Sequence, residues 1–295
     1  MSWLIVGTVP YEGFPLIEGK CNVLKRRLRF GDQSVRISRG TPALLATACL
    51  TAQALGIEPP SALLCGDIGR GDGSRRIYEY LVREIPDCPN DLFVFHYLQP
   101  DVDWHNRILC RLEELPTTPI LIADAGYMYV AKMSGFAASY DLFTPDAGEV
   151  AFLADESAPH PFYTRGFLLQ EDDRVPELIQ RAYQHENAAR HLLVKGRCDY
   201  AASADGILAK ICDPCVEAME PIGGTGDSLT GIASALVQGG RSLAEASVQA
   251  AYVNRFLGLI SSPTPAFSVA DLLPALPRAL EMGLPQSNHI RRHEF

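Results

Sequence analysis

Short apolar runs alternate along the chain with longer segments whose apolar residues recur every three or four positions. Residues 3–6, 61–66, 91–98, 119–124 and 191–196 are apolar runs bounded by turn-forming residues, the signature of buried strands. Between them, residues 41–56 open on Thr41 and Pro42 and close on Gly56, a helix with proline in its first turn. Helical spacing predicts further helices from the turn at 67–74 to about residue 84, over 104–115, after Thr144 and Pro145, over 175–189 and over 243–260. Leu229, Ile232, Ala233, Leu236 and Val237 keep the same spacing up to Gly239 and Gly240, which puts the start of that helix at about Asp227. Strands alternating with helices join by right-handed crossovers, so the expected core is a mainly parallel sheet covered on both faces. Two segments differ: residues 21–38 alternate polar and apolar about Gly31 and Asp32, and residues 200–210 turn at Asp205 and Gly206, so both read as β-hairpins.

With 295 residues, 47% hydrophobic and 21% charged, the chain can bury a large core, and its length suits one α/β domain over 1–280 with a loose tail at 281–295. No apolar run reaches the roughly 20 residues that cross a bilayer, and the first residues lack a basic flank, so a cytoplasmic protein without a membrane partner is expected. A net charge of −9 argues against a nucleic-acid platform, although a nest of amides can hold a single nucleotide on an acidic protein. The eight cysteines are scattered beside apolar residues and read as reduced, buried thiols. Cys212 and Cys215 form a Cys-x-x-Cys without a second pair at metal-site spacing, so they add no metal or redox expectation. His96, inside an apolar run, reads as a core histidine.

The densest chemical signal is Gly-Gly-Thr-Gly-Asp-Ser-Leu-Thr-Gly over 223–231, a glycine-rich loop that runs into a helix. Its glycines let the backbone turn tightly and bring N–H groups to a ligand at the positive end of the helix dipole, which makes an anion site. Asp227 has two readings there. It either caps the helix, or it takes a proton from a hydroxyl while the neighbouring amides stabilise developing charge.

This string resembles the catalytic loop of the ribokinase superfamily, and its double glycine and Leu-Thr-Gly continuation are most similar to the ATP- or ADP-dependent NAD(P)H-hydrate dehydratases. The resemblance implies a three-layer α/β/α fold with a small β-hairpin lid, an anion hole at Gly224, Thr225 and Gly226, Asp227 as catalytic base, and ATP (or ADP) with Mg2+ as cofactors. Residues 21–38 then stand for the lid or a contact in a homodimer, their basic residues forming a solvated face. Thr-Pro-Asp-Ala-Gly-Glu over 144–149 is similar to the dehydratase pattern and implies Glu149, with Asp146, in the metal shell; the plain alternative is that both acids cap a helix. Leu-Val-Lys-Gly over 193–196 implies Lys195 and Gly196 beside the nucleotide, with Asn254 on the adenine side. Asp124 closes a strand at the ligand-binding edge and Asp67 follows another, so each is a candidate substrate contact, Asp67 with a turn-forming alternative. The glycines at 69, 71 and 73 do not fit dinucleotide-binding spacing. Ribokinase-type sugar kinases carry an early aspartate and a Gly-Gly pair, where this chain has Val-Pro-Tyr-Glu over 9–12 and Arg-Gly-Thr-Pro over 39–42, which points away from an ordinary sugar. The expectation is phosphoryl transfer to a hydroxyl of a small metabolite, or nucleotide-dependent dehydration of hydrated NAD(P)H at the same site. A catalytically silent nucleotide-binding protein is the alternative from another class.

Overall fold

The computed structural model describes residues 2–85, 90–158 and 174–284. Strand parity sets its layers. β1 (Trp3–Val9) turns Trp3, Ile5 and Val9 to one face and Leu4 and Val6 to the other, and both sets are buried. Parallel to it run β6 (Ser61–Gly66) on one side and β7 (Leu92–His96) on the other, continued by β8 (Ile120–Ala123), β9 (Leu142–Phe143) and β10 (His191–Val194). Antiparallel strands close the edges: β2 (Ile17–Lys20) beside β6, and the hairpin of β11 (Asp199–Ser203) and β12 (Gly206–Ile211) beside β10. The nine-stranded order is β12-β11-β10-β9-β8-β7-β1-β6-β2.

Helices cover both faces. On the Trp3 side lie α1 (Thr41–Leu55), α7 (Thr225–Gln238), α8 (Leu243–Ser261), the short α9 (Val269–Leu272) and α10 (Leu276–Gly283). On the Leu4 side lie α2 (Asp72–Glu84), α3 (Val102–Glu113), α4 (Tyr127–Met133), α5 (Ala147–Ala154) and α6 (Val175–Gln184). α1 and α7 meet through small residues so closely that a Cβ added at Gly231 would lie 2.4 Å from the Leu44 carbonyl oxygen. This contact fixes the two helix starts relative to each other.

Several expectations need correction. Residues 21–38 form three strands, β3 (Asn22–Leu24), β4 (Arg27–Phe30) and β5 (Gln33–Arg36), in a sheet of their own, because a second turn at Lys25 takes φ +55°. The helix predicted over 175–189 ends at Gln184. α10 reaches Gly283, inside the segment expected to be a loose tail, and 285–295 lie outside the described residues. Cys198 and Cys212 are joined in a disulfide, against the expectation of reduced thiols. The paired strands β11 and β12 bring Asp199 opposite Ile211, so the cysteines flanking that pair meet. Among the described residues, Cys21, Cys49, Cys65, Cys110 and Cys215 are free, and Cys110 and Cys215 are exposed rather than buried. No described helix is long and apolar enough to cross a membrane.

Candidate functional site

From β1 the chain moves to β6 on one side and then to β7 on the other, and open α/β sheets bind ligands outside the carboxyl ends of strands at such a switch point. At the carboxyl ends of β7 to β10 lies a cavity of about 750 Å³, lined by Asp124, Asp146, Glu149, Lys195, Gly196, Asn254 and residues 224–227. Gly224 enters α7 with φ +101°, and a Cβ there would lie 2.8 Å from the Arg39 Cα and the Ser38 carbonyl oxygen, so only glycine fits. The helix starts at Thr225, two residues earlier than expected. Asp227 therefore sits in its first turn and makes no cap bond, which removes the capping alternative. The N–H groups of this turn have no intrahelical acceptor and stand at the positive end of the dipole.

The Asp227 carboxylate is 9% exposed and held from two sides. Oδ2 accepts the Gly40 N–H at 2.6 Å, and Oδ1 lies 3.0 Å from His96 Nε2. Burial opposes its charge, yet His96, Lys195 and the Gly40 amide together hold the carboxyl below the usual carboxylate range. His96 is fully buried, as expected of a core histidine, but its partner is the candidate base. Strand parity held the clue: His96 shares the face of Leu92 and Val94, the one that α1 and α7 cover.

Asp124, Lys195 and Thr230 form a second cluster. Lys195 Nζ donates to both Asp124 oxygens at 2.8 and 3.0 Å, and the Thr230 hydroxyl donates to Oδ2 at 2.6 Å. Burial alone would lower the Lys195 ammonium; Asp124 and Glu149 hold it well above its ordinary value, so it stays charged. Its stem lies over Gly226, where a Cβ would come within 3.3 Å of Lys195 Cδ. A fixed positive charge therefore stands beside the first turn of α7.

Asp146 and Glu149 complete a reciprocal capping box at the start of α5, each accepting the other's backbone N–H at 2.8 Å. Tyr129 donates its hydroxyl to Glu149 Oε1 at 2.5 Å. Burial, then repulsion from Asp146, pushes Glu149 up to about 8. The capping alternative is thus realised, while both residues still line the cavity. Asp67 takes its turn-forming alternative. Asp67 accepts the N–H groups of Gly69, Arg70, Gly71 and Ser74 and the Ser74 hydroxyl, which closes the turn into α2, and it does not line the cavity. Asn254 lines the cavity, where its amide donates to the Thr225 carbonyl and accepts from the Ser228 hydroxyl, tying α8 to the first turn of α7.

Sequence reading also missed Tyr97 and Arg255. Tyr97 lines the cavity at φ +48°, held by the Thr8 hydroxyl on its carbonyl and by its own N–H on Ala125. Arg255 pairs with Asp199 at 2.8 Å and donates to the carbonyls of Gly196, Arg197 and Cys212, pinning the loop after β10. Neither has a local sequence signal, because their partners lie far along the chain.

A doubly covered parallel sheet with a glycine-rich helix start at its strand ends is the architecture of the ribokinase-like kinases. The chain has that fold, and it belongs to the family of an uncharacterized protein of Methanocaldococcus jannaschii, with which it is 43% identical over 217 residues, covering 73% of this chain and 89% of the relative. An ADP-dependent (S)-NAD(P)H-hydrate dehydratase of Cenarchaeum symbiosum is 29% identical over 158 residues, 52% of this chain and 50% of that protein. A bifunctional NAD(P)H-hydrate repair enzyme of Pyrobaculum aerophilum is 30% identical over 141 residues, 47% of this chain and 25% of its own. Among solved structures, a ribokinase-like superfamily protein of Enterococcus faecalis superposes with a TM-score of 0.57 at 14% identity, covering 95% of this chain and 87% of the other. Phosphofructokinase-2 of Escherichia coli gives 0.56 at 11%, covering 95% and 100%. No family model matches the chain.

Proposed function

We propose that the protein is a nucleotide-dependent enzyme that transfers the terminal phosphoryl group of ATP, or of ADP, to a hydroxyl of a small metabolite. One observation carries this reading: a buried carboxylate, Asp227, in the first turn of α7, whose residues Gly224 to Asp227 line the same cavity as Lys195. Asp227 takes the hydroxyl proton, and the amides from Gly224 to Asp227 receive the phosphoryl oxygens. Lys195 offsets their charge; positioning and charge stabilisation make up most of catalysis in this reaction class. Asp146 and Glu149 offer only carboxylate oxygens, which suits a hard cation such as Mg2+, and a dication there would offset the burial and the Asp146 repulsion that raise Glu149. Such an ion would neutralise charge between the phosphates. The separate three-stranded sheet is proposed as a lid over the acceptor or as a homodimer contact, and a cytoplasmic location goes with the same reading.

The matches to an NAD(P)H-hydrate dehydratase and an NAD(P)H-hydrate repair enzyme favour a second outcome at this site: nucleotide-driven loss of a hydroxyl from hydrated NAD(P)H. Incubation with hydrated NADH and ATP or ADP separates the two. Recovery of the reduced-nicotinamide absorbance marks the dehydratase; silence there with phosphorylated hydroxyl acceptors marks the kinase. Nucleotide binding with no turnover that depends on Asp227 would mark a silent binding protein.

A further inference from the structure

We infer that His96 is a positioning residue for Asp227, held in one tautomer by Thr41 so that its Nε2–H aims the carboxylate at the acceptor hydroxyl. This rests on the reading of Asp227 as the base. A carboxylate can only accept, so the 3.0 Å contact requires the proton on Nε2. In a neutral ring Nδ1 is then an acceptor, and the Thr41 hydroxyl, 2.9 Å away, donates to it. The ring is 0% exposed, so no solvent competes for either nitrogen.

Four elements build this arrangement. β7 ends at His96, α1 begins at Thr41, and α7 carries Asp227 in its first turn. β1 contributes a glycine: Gly7 is the register partner of His96, and a Cβ there would lie 2.6 Å from Thr41 Oγ1. Any other residue at position 7 would occupy the space through which the threonine reaches the ring. Gly40 holds the second carboxylate oxygen, so Asp227 is fixed at both ends while each oxygen keeps a lone pair free. The other charged or titratable groups facing it are Lys195 beyond β10, Asp124 beyond β8, Tyr97 beyond β7 and Glu149 on α5. Asp124 is 3.8 Å from His96 Nε2, too far to take the proton that Asp227 accepts.

The test uses the whole protein and two variants, His96→Gln, which keeps an N–H donor, and His96→Leu, which removes it. In the unaltered protein, ¹⁵N spectra of His96 should show the neutral Nε2–H tautomer; the Nδ1–H tautomer or a doubly protonated ring overturns the inference without any variant. By ¹³C titration, the Asp227 carboxyl should move upward in His96→Leu and stay near its original position in His96→Gln. The acid limb of the rate profile should move the same way, with turnover falling roughly ten- to a hundredfold in the leucine variant, the effect of a lost charged hydrogen bond, and largely rescued by glutamine. A folded His96→Leu protein with unchanged carboxyl titration and rate profile leaves His96 as packing only. If the leucine variant does not fold, Thr41→Val takes its place, and an unchanged His96 tautomer there refutes the role given to threonine. Should Asp227→Asn keep full turnover, the base assignment fails by itself, whatever the histidine spectra show.

Discussion

At the scale of single residues, the assignments rest on which charges are held and by what. Asp227→Asn keeps the shape and removes the proposed base, so turnover should fall by at least about a hundredfold while nucleotide affinity changes little, measured by steady-state kinetics and calorimetry. Glu149 gives a pH signature. Its folded value near 8 lies above the ordinary 4.5, so between those values the folded protein binds more protons than the unfolded chain. Its contribution to stability is complete below pH 4.5 and is lost as pH rises through 8. Melting temperatures from pH 5 to 9 should decline less steeply for Glu149→Gln than for the unaltered protein; equal slopes would show that the carboxyl ionises freely. The residues legible in sequence were those inside contiguous strings, Asp227 with its glycines and Lys195 beside Gly196, because local spacing marks a helix start or a strand end. The His96–Asp227 contact was not legible, since it joins positions 131 apart.

Among elements, the crossing of α1 and α7 governs the site. Gly231→Ala would drive a methyl group into the Leu44 carbonyl, so overpacking should cost about 1–3 kcal/mol in denaturant unfolding and reduce turnover as Gly40 and Asp227 move apart. Gly13→Ala, where a Cβ meets nothing within 4 Å, is the control and should leave both unchanged. Helix α1 was readable almost to the residue, expected over 41–56 and found as Thr41–Leu55, because threonine, proline and glycine punctuate it. The small sheet was misread as a two-stranded hairpin because one of its turns uses Lys25 in the left-handed region, a conformation that sequence rules assign to glycine or asparagine. The start of α7 was set two residues late because the apolar spacing that marks the helix begins only at Leu229, whereas Gly224 occupies the cap position.

For the whole molecule, the alternation of strands and helices was enough to predict the layers, while the disulfide escaped because it depends on how β11 pairs with β12. Iodoacetamide labelling of the unfolded protein should modify two fewer cysteines without reductant than with it. Cys212→Ser should lower stability by about 3 kcal/mol, the usual effect of opening a loop of this size, in chemical denaturation. Equal labelling with and without reductant would show the pair to be reduced in solution. Gly40, His96 and Asp227 reach one another from backbone stretches that only the assembled sheet keeps in place, and Gly40 is 187 positions from Asp227. A fragment that lacks any one of these stretches would lose the proposed chemistry. Heat should abolish turnover together with the near-ultraviolet signal of the buried aromatic side chains, making activity a faithful thermometer of the entire core.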